Sequence, residues 1–597
     1  MTQIKDRIAA LRTAMQEAGV SAYIVPGTDP HASEYIADHW KDRVWISGFT
    51  GSAGTVAFTL QKGGLWTDSR YFLQAADQLK DTGINLMKLG MPETPDIASW
   101  IISELKTGNK VGVNPQMFSI NAYAAMKAHF QKAGIELVST DLMDKIWSDR
   151  PALPKDKLFV YDKSYAGKSA AEKLMALRAE MKKMNANAFV LSVLDDIAWL
   201  FNIRGTDVSY NPVVTSFALV DANKAMLFVD PEKVEKKDLA YFKSENIELA
   251  AYDEIYATLN KIPVGQAILI DGSKLNQSLY EAITPGCVFV NTLSPVTHFK
   301  SIKNETEIDG FRRAMVKDGV ALVQFFKWLE ENVGSGNVNE VSLDEKLSEF
   351  RSKQKGFMGA SFGSIAGYGP HGAIVHYSAT HESASTLKPE GIFLLDSGGQ
   401  YIDGTTDITR TISLGNPTDN QKKDFTLVLK GHIALSRAVF PAGTRGSQID
   451  MLARKALWEN GLNYGHGTGH GIGHFLNVHE GPQSIRAEEN PVTLKAGMVI
   501  SNEPGLYRSG EYGIRTENLV LVVPAIENEF GSFLQFETLT LFPIDQNLMD
   551  ITLLDNDEEI WIDNYHQTVY DQLSPYLNED EKKWLKSKCS PLYDLIF

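Results

Sequence analysis

Five polar side chains in the second half of the chain lie where apolar runs end or where glycines allow a turn. Asp396 ends the run IFLLD, and Asp407 lies in TTDITRTI, which alternates like a strand. His470 stands in the glycine-rich stretch GHGTGHGIGH, Glu503 follows VISN, and Glu517 precedes NLVLV. Glycines between the two aspartates can reverse the chain, so a hairpin would bring their carboxylates side by side.

The residue types in this set predict a centre of two metal ions. Like charges at close range are costly unless a cation neutralises them. Four carboxylates and one imidazole are more ligands than one ion needs, and two divalent ions would balance the four negative charges. Ligand hardness favours Mn²⁺, with Co²⁺ or Zn²⁺ as alternatives. A hydroxide bridging two metals is a strong nucleophile at neutral pH, so the predicted chemistry is hydrolysis.

Each of these residues also has a plainer explanation when it is taken singly. An Asp before Gly-Gly is usually a turn residue, and NEPG is more often a turn than a ligand. The stretch GHGTGH could be a plain glycine-rich loop or a phosphate cradle, although no GK[ST] follows it. The five residues together, in the order Asp, Asp, His, Glu, Glu, favour the metal centre.

The elements that would position these residues follow an α+β pattern. Capping signals at Thr306, Ser342 and Thr418 predict helix starts, and the first opens a helical pattern that runs to about Glu331. Between the helices lie glycine-punctuated segments that alternate like antiparallel strands. The predicted strands are SFGSIAGYG, IFLLDSGG, TDITRTIS and IRTENLVLVV. Antiparallel strands with helices on one side belong to the α+β class.

An internal repeat indicates the architecture of the first half of the chain. Each copy is an amphipathic helix that leads into an apolar strand and then into a stretch that contains tryptophan. The repeat therefore predicts two related α/β domains. The residues Leu11, Arg12, Met15 and Ala22 match, at one constant offset, Leu177, Arg178, Met181 and Ala188.

Two linker-like stretches divide the chain into three predicted domains. Residues 148–157 hold two prolines among charges, and a second boundary lies within 294–303. The tail is rich in Asp, Glu, Trp and Tyr and is expected to form an appended hairpin and helix. The predicted domains are 1–153, 154–300 and a catalytic domain 301–597, which carries a C-terminal extension from about 544.

Composition and charge exclude several classes of protein. The 597 residues are 43% hydrophobic and 22% charged, an ordinary globular composition for more than one core. A formal net charge of -16 argues against a nucleic-acid partner. We find neither the apolar core of a signal peptide nor a membrane-spanning run. The two cysteines, Cys287 and Cys589, have no metal-type spacing. We therefore expect a cytoplasmic protein.

The motifs resemble those of the pita-bread metallopeptidases, a group that includes methionine aminopeptidase, prolidase and aminopeptidase P. The matching stretches are LLDSGGQYIDGTTDITRT, GHGTGHGIGHFLNVHEGP, SNEPGLY and GIRTENLVLV. The resemblance implies two creatinase-type N-terminal α/β domains, a pita-bread catalytic domain and a C-terminal extension. It implies that the two metal ions are held by Asp396, Asp407, His470, Glu503 and Glu517.

The same resemblance implies roles for further residues. GAIVHY places His376 at the substrate-binding histidine of the family, and His466 and His479 fall on two other active-site histidines. Arg515 matches an arginine that braces the metal carboxylates. Glu503 would be both a ligand and a proton shuttle to the departing proline nitrogen.

Almost the whole chain resembles the long, three-domain, cytosolic type of aminopeptidase P. This implies a metal-dependent enzyme that removes the first residue of peptides whose second residue is proline. The main alternative is a prolidase restricted to dipeptides, for which Arg508 is the candidate clamp on the proline carboxylate. A pita-bread domain used only for binding and a metal-free creatinase-like hydrolase are disfavoured, since the ligand set is complete.

The resemblance also favours a homodimer. Aromatic residues are dense in the C-terminal extension, which suits a contact between proteins, but packing against the chain's own catalytic domain explains them equally well. These residues are Trp561, Tyr565, Tyr570, Tyr576 and Trp584.

Overall fold

The computed structural model describes residues 2–592, and the chain separates into two compact units. The N-terminal unit comprises the residues up to Lys163 together with Lys168–Val296. The C-terminal unit comprises Ser164–Gly167 together with the residues from Thr297 onward. The boundaries of the three predicted domains stay predictions, because this division separates two units and not three.

The first part of the N-terminal unit is a six-stranded sheet with helices on both faces. Its strand order is β4-β3-β2-β1-β5-β6. Tyr23 and Val25 of β1 pack into one core with the first helix, while Ala22 and Ile24 pack into a second core on the other face. The strands are β1 (Ala22–Pro26), β2 (Thr55–Thr59), β3 (Gly63–Thr67), β4 (Asn85–Lys88), β5 (Lys110–Val113) and β6 (Glu136–Ser139). The helices are α1 (Thr2–Glu17), α2 (Asp42–Ser47), α3 (Phe72–Gln78), α4 (Ile97–Glu104), α5 (Ile120–Lys132) and α6 (Met143–Ile146).

The second α/β part repeats this topology with the strand order β12-β11-β10-β8-β13-β14. In each sheet the strand after the first helix has an antiparallel neighbour on one side and a parallel neighbour on the other. The strands are β7 (Phe159–Val160), β8 (Ala188–Leu191), β9 (Ile203–Arg204), β10 (Ser216–Asp221), β11 (Ala225–Val229), β12 (Ile247–Ala250), β13 (Ala267–Ile270) and β14 (Val288–Asn291). The helix α7 (Lys163–Ala166) falls mostly in the segment assigned to the C-terminal unit. The helices of this part are α8 (Ala170–Lys183), α9 (Leu194–Leu200), α10 (Leu239–Ser244), α11 (Glu254–Leu259) and α12 (Gln277–Ala282).

The residues of the sequence repeat make equivalent contacts in both copies, which confirms the prediction of two related domains. The arginine side chain of the first helix donates to a strand-end carbonyl: Arg12 Nε to Thr59 O at 3.2 Å, and Arg178 Nε to Asp221 O at 2.9 Å. Thr59 pairs with Ala22 and Asp221 pairs with Ala188, so the two bonds are equivalent. The leucines and methionines of the repeat are buried in both copies.

Several helices of the C-terminal unit begin at a residue whose side chain caps the first turn. Thr418 and Gln421 form the predicted capping box, but the first two helices begin at Asn304 and Asn339, slightly before the predicted Thr306 and Ser342. None of the described helices is long and apolar enough to cross a membrane. The helices are α13 (Pro295–Ser301), α14 (Glu305–Asn332), α15 (Glu340–Ser352), α16 (Asp419–Ser436), α17 (Gly446–Trp458), α18 (Asn556–Leu573) and α19 (Glu579–Lys588).

The strands of this unit form antiparallel sheets, as the sequence predicts. One sheet has the order β16-β17-β20 and another has the order β21-β28-β27-β24-β22-β23. The segment IRTENLVLVV is split between two sheets, since Thr516 and Glu517 lie between β26 and β27. The strands are β15 (Phe357–Ala360), β16 (Ile365–Tyr368), β17 (Ile392–Ser397), β18 (Gly399–Tyr401), β19 (Gly404–Thr405), β20 (Ile408–Ser413), β21 (Val439–Pro441), β22 (Gly469–Gly471), β23 (Glu480–Ile485), β24 (Val499–Asn502), β25 (Gly505–Arg508), β26 (Tyr512–Arg515), β27 (Asn518–Asn528) and β28 (Gly531–Thr538).

The prediction of a hairpin in the C-terminal extension is wrong, because residues 544–592 form the helices α18 and α19 with short 3-10 turns. Several aromatic residues of the extension pack on this unit's own elements. Tyr565 is buried, Trp561 stacks on it at 5.3 Å between ring centroids, and Trp584 Nε1 donates to Glu330 of α14. The tyrosine hydroxyl and the indole N–H both find partners within the unit, so internal packing accounts for these two aromatic residues.

Candidate active site

The two aspartates come together because β17 pairs with β20 in antiparallel register. Asp396 lies opposite Thr409, and Asp407 is the residue immediately before β20. The intervening segment leaves this sheet and forms the small hairpin β18–β19, which returns the chain. Both carboxylates are buried. The side-by-side arrangement predicted from the glycines is therefore present.

His470 is the middle residue of β22, which lies between β23 and β24. A Cβ at Gly469 would come within 1.9 Å of the Ser501 carbonyl oxygen, so only glycine allows this approach. His470 Nδ1 is 3.0 Å from the carbonyl oxygen of Gly471 and must donate to it. The Nε2 lone pair therefore faces Asp407 Oδ2 at 3.5 Å and Glu503 Oε1 at 3.6 Å, longer than hydrogen bonds.

Glu517 completes a compact group of ligand atoms. One oxygen of Asp407, one oxygen of Glu517 and one ring nitrogen of His470 all lie within 4.8 Å of one another. Thr409 Oγ1 donates to Glu517 Oε2 at 2.7 Å, and the Glu517 backbone N–H donates to the Thr409 carbonyl. Glu503 is held by its backbone N–H on the Thr468 carbonyl at 2.8 Å.

The carboxylates destabilise one another's charged forms. Burial, with the neighbouring Glu517 and Asp396, holds the pKa of Asp407 well above its ordinary range. Burial and Asp396 raise the pKa of Glu517 to about 8, and burial with Glu517 also raises the pKa of Glu503. Arg515 Nη2 donates to Asp396 Oδ2 at 2.5 Å, but one guanidinium cannot balance four carboxylates.

These observations fit a group of divalent cations. The second oxygen of Asp396, Oδ1, is buried without a hydrogen-bond partner among the described residues, so one lone-pair site is left for a ligand. The donors are carboxylate oxygens and one imidazole nitrogen, a set that suits hard or borderline divalent ions. The assignment of five metal ligands stays a prediction, and this geometry supports it.

A chain of hydrogen bonds runs from Asp396 through Arg515 to His466. Arg515 Nη1 donates to the Tyr507 hydroxyl at 2.7 Å, and that hydroxyl lies 2.8 Å from His466 Nε2. His466 Nδ1 donates to the Gly467 carbonyl, so Nε2 accepts the tyrosine proton. The bracing role expected for Arg515 is thus compatible with its position. His479 lies edge-on to His470 with ring centroids 4.4 Å apart.

His376 lies half-buried on a loop whose preceding turn packs against β26. The 3-10 turn Gly369–Ala373 precedes it, and a Cβ at Gly513 of β26 would meet the Gly372 carbonyl oxygen at 1.7 Å. The buried Glu340 carboxylate fixes the same loop, because it accepts from His371 Nδ1 at 2.9 Å and from the Tyr377 hydroxyl at 3.1 Å. The substrate-binding role of His376 stays a prediction.

The sequence analysis did not identify Thr409 and Tyr507 as members of this network, and the candidate clamp Arg508 forms an ion pair elsewhere. Thr409 shares a strand face with Asp407, so the two-residue period could have identified it. Tyr507 lies on β25, four residues after Glu503. This spacing does not indicate a site residue by any general rule. Arg508, the candidate carboxylate clamp, forms a bidentate pair with Asp424, whose other hydrogen-bond donor is the Tyr512 hydroxyl.

Family models match four successive segments of the chain. Residues 7–146 and 149–307 each match a Creatinase/Prolidase N-terminal domain. Residues 309–524 match Metallopeptidase family M24, and residues 532–592 match the C-terminal region of that peptidase family. The segment 309–524 contains all the predicted metal ligands.

Similar proteins extend this match to the full length. The chain is 43% identical to a probable Xaa-Pro aminopeptidase P of Laccaria bicolor, with 98% of this chain and 93% of the relative covered. It is 42% identical to Aminopeptidase P2 of Arabidopsis thaliana, with coverages of 99% and 89%. The crystal structure of a Caenorhabditis elegans X-prolyl aminopeptidase, a cytosolic enzyme with a dinuclear active site, superposes with a TM-score of 0.94 at 36% identity. That match covers 99% of this chain and all of the other.

Proposed function

The chain belongs to the aminopeptidase P family of M24 metallopeptidases, and on this premise we propose that it is a metal-dependent aminopeptidase that releases the first residue from peptides with proline in second position. The observation that carries the proposal is the cluster in which Asp407, His470 and Glu517 present ligand atoms within 4.8 Å of one another. Full-length similarity to relatives of this specificity supports the substrate class.

The residues Asp396, Asp407, His470, Glu503 and Glu517 would hold two divalent ions. We propose Mn²⁺ because four of the five donors are carboxylates. When bound, the two ions supply Lewis acidity and an activated water at neutral pH. Arg515 and Thr409 orient Asp396 and Glu517, and the Gly471 carbonyl fixes the His470 tautomer that can bind a metal.

The remaining polar residues would handle the substrate and its protons. Glu503 keeps 18% of its side chain exposed and has a raised pKa, which suits a group that passes a proton to the departing proline nitrogen. His479, which lies beside His470, would stabilise negative charge on the attacked carbonyl oxygen. His376 and His466 would line the path of the peptide, and Tyr507 keeps the His466 ring in one orientation.

The state of Arg508 bears on the alternative of a prolidase. A prolidase needs a cation for the proline carboxylate, whereas the guanidinium of Arg508 is already paired with Asp424. We therefore favour a substrate that continues beyond proline. Peptides such as Arg-Pro-Pro should be cleaved after the first residue. N-acetylation should block cleavage, because the substrate amine would lose its metal or acidic partner.

A chromatographic assay of Arg-Pro-Pro, Arg-Pro and Arg-Ala-Pro tests the proposal. Replacement of proline by alanine should lower kcat/KM by about 10²-fold or more, since a pocket shaped for a ring loses its contacts. Hydrolysis of the dipeptide alone would show that prolidase is the correct assignment. Cleavage of none of the three by the Mn²⁺-treated protein would leave the binding-only alternative.

We also propose that the enzyme is a cytoplasmic homodimer. Ile560 and Tyr576 of the extension are 59% and 66% exposed and could form part of a contact between copies. Sedimentation of the full-length protein should give twice the mass of one chain, and the variant Ile560→Glu should weaken the association. A monomeric full-length protein contradicts the dimer, and fractionation of the source cells tests the compartment.

A further inference from the structure

A second layer of side chains lies behind the candidate metal centre, on the opposite face of β20. Asp407 and Thr409 face the centre, and Arg410, the next residue, points away from it into the core. Arg410 is 2% exposed. Six oxygens lie within hydrogen-bond distance of its five N–H groups, so one N–H is shared: the carbonyls of Thr409, Glu517, Phe542 and Pro543, the Asn518 side chain and the Tyr565 hydroxyl.

Arg410 connects the C-terminal extension to the predicted ligand Glu517. Its Nη1 donates to the Glu517 carbonyl at 2.6 Å, and its Nη2 donates to the hydroxyl of Tyr565 on α18 at 2.8 Å. The Tyr565 hydroxyl in turn lies 3.0 Å from the Phe542 carbonyl, another acceptor of Arg410. Nη2 carries two N–H groups and has three acceptors, which are Asn518 Oδ1, the Phe542 carbonyl and the Tyr565 hydroxyl. The hydroxyl therefore completes a shared set of bonds that holds the guanidinium in one position.

The extension also contacts His432 of α16, which in turn bonds to the strands β24 and β27. Trp561 stacks on Tyr565 and packs edge-on against the His432 ring at 5.9 Å. His432 Nδ1 donates to the Asn502 carbonyl, and Nε2 accepts from Asn518 Nδ2, both at 3.1 Å. Burial lowers the pKa of His432 to about 3, so the ring stays neutral and keeps this pattern.

Asn502 and Asn518 fix the spacing of two predicted ligands. They are direct register partners between β24 and β27. Asn502 precedes Glu503, and Asn518 follows Glu517. The extension therefore contacts, through Arg410 and His432, the backbone that carries both glutamates.

We propose that helix α18 is a positioning element of the metal centre, in which the Tyr565 hydroxyl acts through Arg410 to fix the backbone of Glu517. This proposal rests on the proposed metal-dependent function. Tyr565 does not touch the substrate or the ligand atoms, so it is a positioning residue and not a catalytic one. The extension is then required by each single chain, whether or not copies associate.

The test compares Tyr565→Phe with Tyr576→Phe in the full-length protein. Both changes remove one hydroxyl from the extension, but Tyr576 is exposed. Calorimetric titration of the chelated protein with Mn²⁺ should show at least one site weakened about tenfold in Tyr565→Phe, the usual scale for loss of a group that orients a ligand. Tyr576→Phe should bind Mn²⁺ like the unchanged protein. With Arg-Pro-Pro, kcat should fall more than KM changes.

A Tyr565→Phe protein with unchanged Mn²⁺ affinity overturns the proposal, even if its melting temperature is lower, because that result assigns the hydroxyl to stability alone. If this variant does not fold, Arg410→Lys is titrated instead, because it keeps a buried cation and removes the guanidinium that links Tyr565 to Glu517. Unchanged affinity there overturns the proposal equally. Failure of the proposed function is recognised separately, because the unchanged protein would then neither bind Mn²⁺ nor cleave Arg-Pro-Pro.

Discussion

The C-terminal unit buries carboxylates at two sites, which differ in the number of cations beside them. Glu480 is wholly buried between two lysines, with Lys300 Nζ at 3.1 Å and Lys303 Nζ at 2.5 Å. The centre formed around Asp407 gathers four carboxylates against the single cation Arg515. The chain thus supplies full counter-charge where a carboxylate is structural. It leaves charge unbalanced where cations are expected to bind.

The largest expected effect comes from removal of a carboxylate from the unbalanced group. Asp407→Ala should lower kcat on Arg-Pro-Pro by roughly 10³-fold or more, comparable to loss of a key electrostatic element. Metal analysis of the purified variant should find fewer ions per chain. Asp403→Asn is the control. Asp403 lies on the nearby hairpin, pairs with Lys317 and Arg313 of α14, and is not a predicted ligand. Equal losses in the two variants would contradict a special role for Asp407.

At the Glu480 site, the expected effect is on the stability of the folded protein. Glu480→Gln leaves two buried lysines without a carboxylate and should lower the free energy of unfolding by about 3–5 kcal/mol. In metal-free protein, Asp407→Asn should shift the midpoint of urea unfolding in the opposite direction, because it removes a like charge. Shifts of the same sign in both variants would show that the comparison between the two groups is mistaken.

A smaller effect concerns pH. The folded-state pKa of Glu517 is raised from its ordinary 4.5 to about 8, so the folded protein favours the protonated form. Its contribution to stability is present below about pH 4.5 and is lost as the pH rises towards 8. The stability difference between metal-free protein and its Glu517→Gln variant should change in that window. A difference that is independent of pH from 4.5 to 8 would contradict the raised pKa.

The sequence predicted those parts of the site that local rules determine. The glycines between Asp396 and Asp407 predicted the chain reversal, and the capping box at Thr418 predicted the start of α16. The two-residue period of β20 also separates Asp407 from Arg410, although their partners could not be read from it. Tyr565 lies 155 residues from Arg410, and such a contact depends on tertiary packing.

The packing of the aromatic residues in the extension also depends on tertiary contacts. The sequence left two explanations open for these residues, a contact between copies and packing on the chain's own catalytic domain, because burial depends on what the chain brings opposite them. Tyr565 faces Arg410 and Trp584 faces Glu330, two partners that no local pattern identifies. Composition alone therefore cannot separate a surface for another copy from a surface for the chain itself.

The most direct test of the central claim is a metal titration of the whole enzyme. The purified protein is treated with a chelator, dialysed and titrated with Mn²⁺ while the initial rate on Arg-Pro-Pro and the bound metal are measured together. We expect activity to be lost on chelation and to return as up to two ions bind per chain. Full activity in a preparation shown to contain no metal would contradict it.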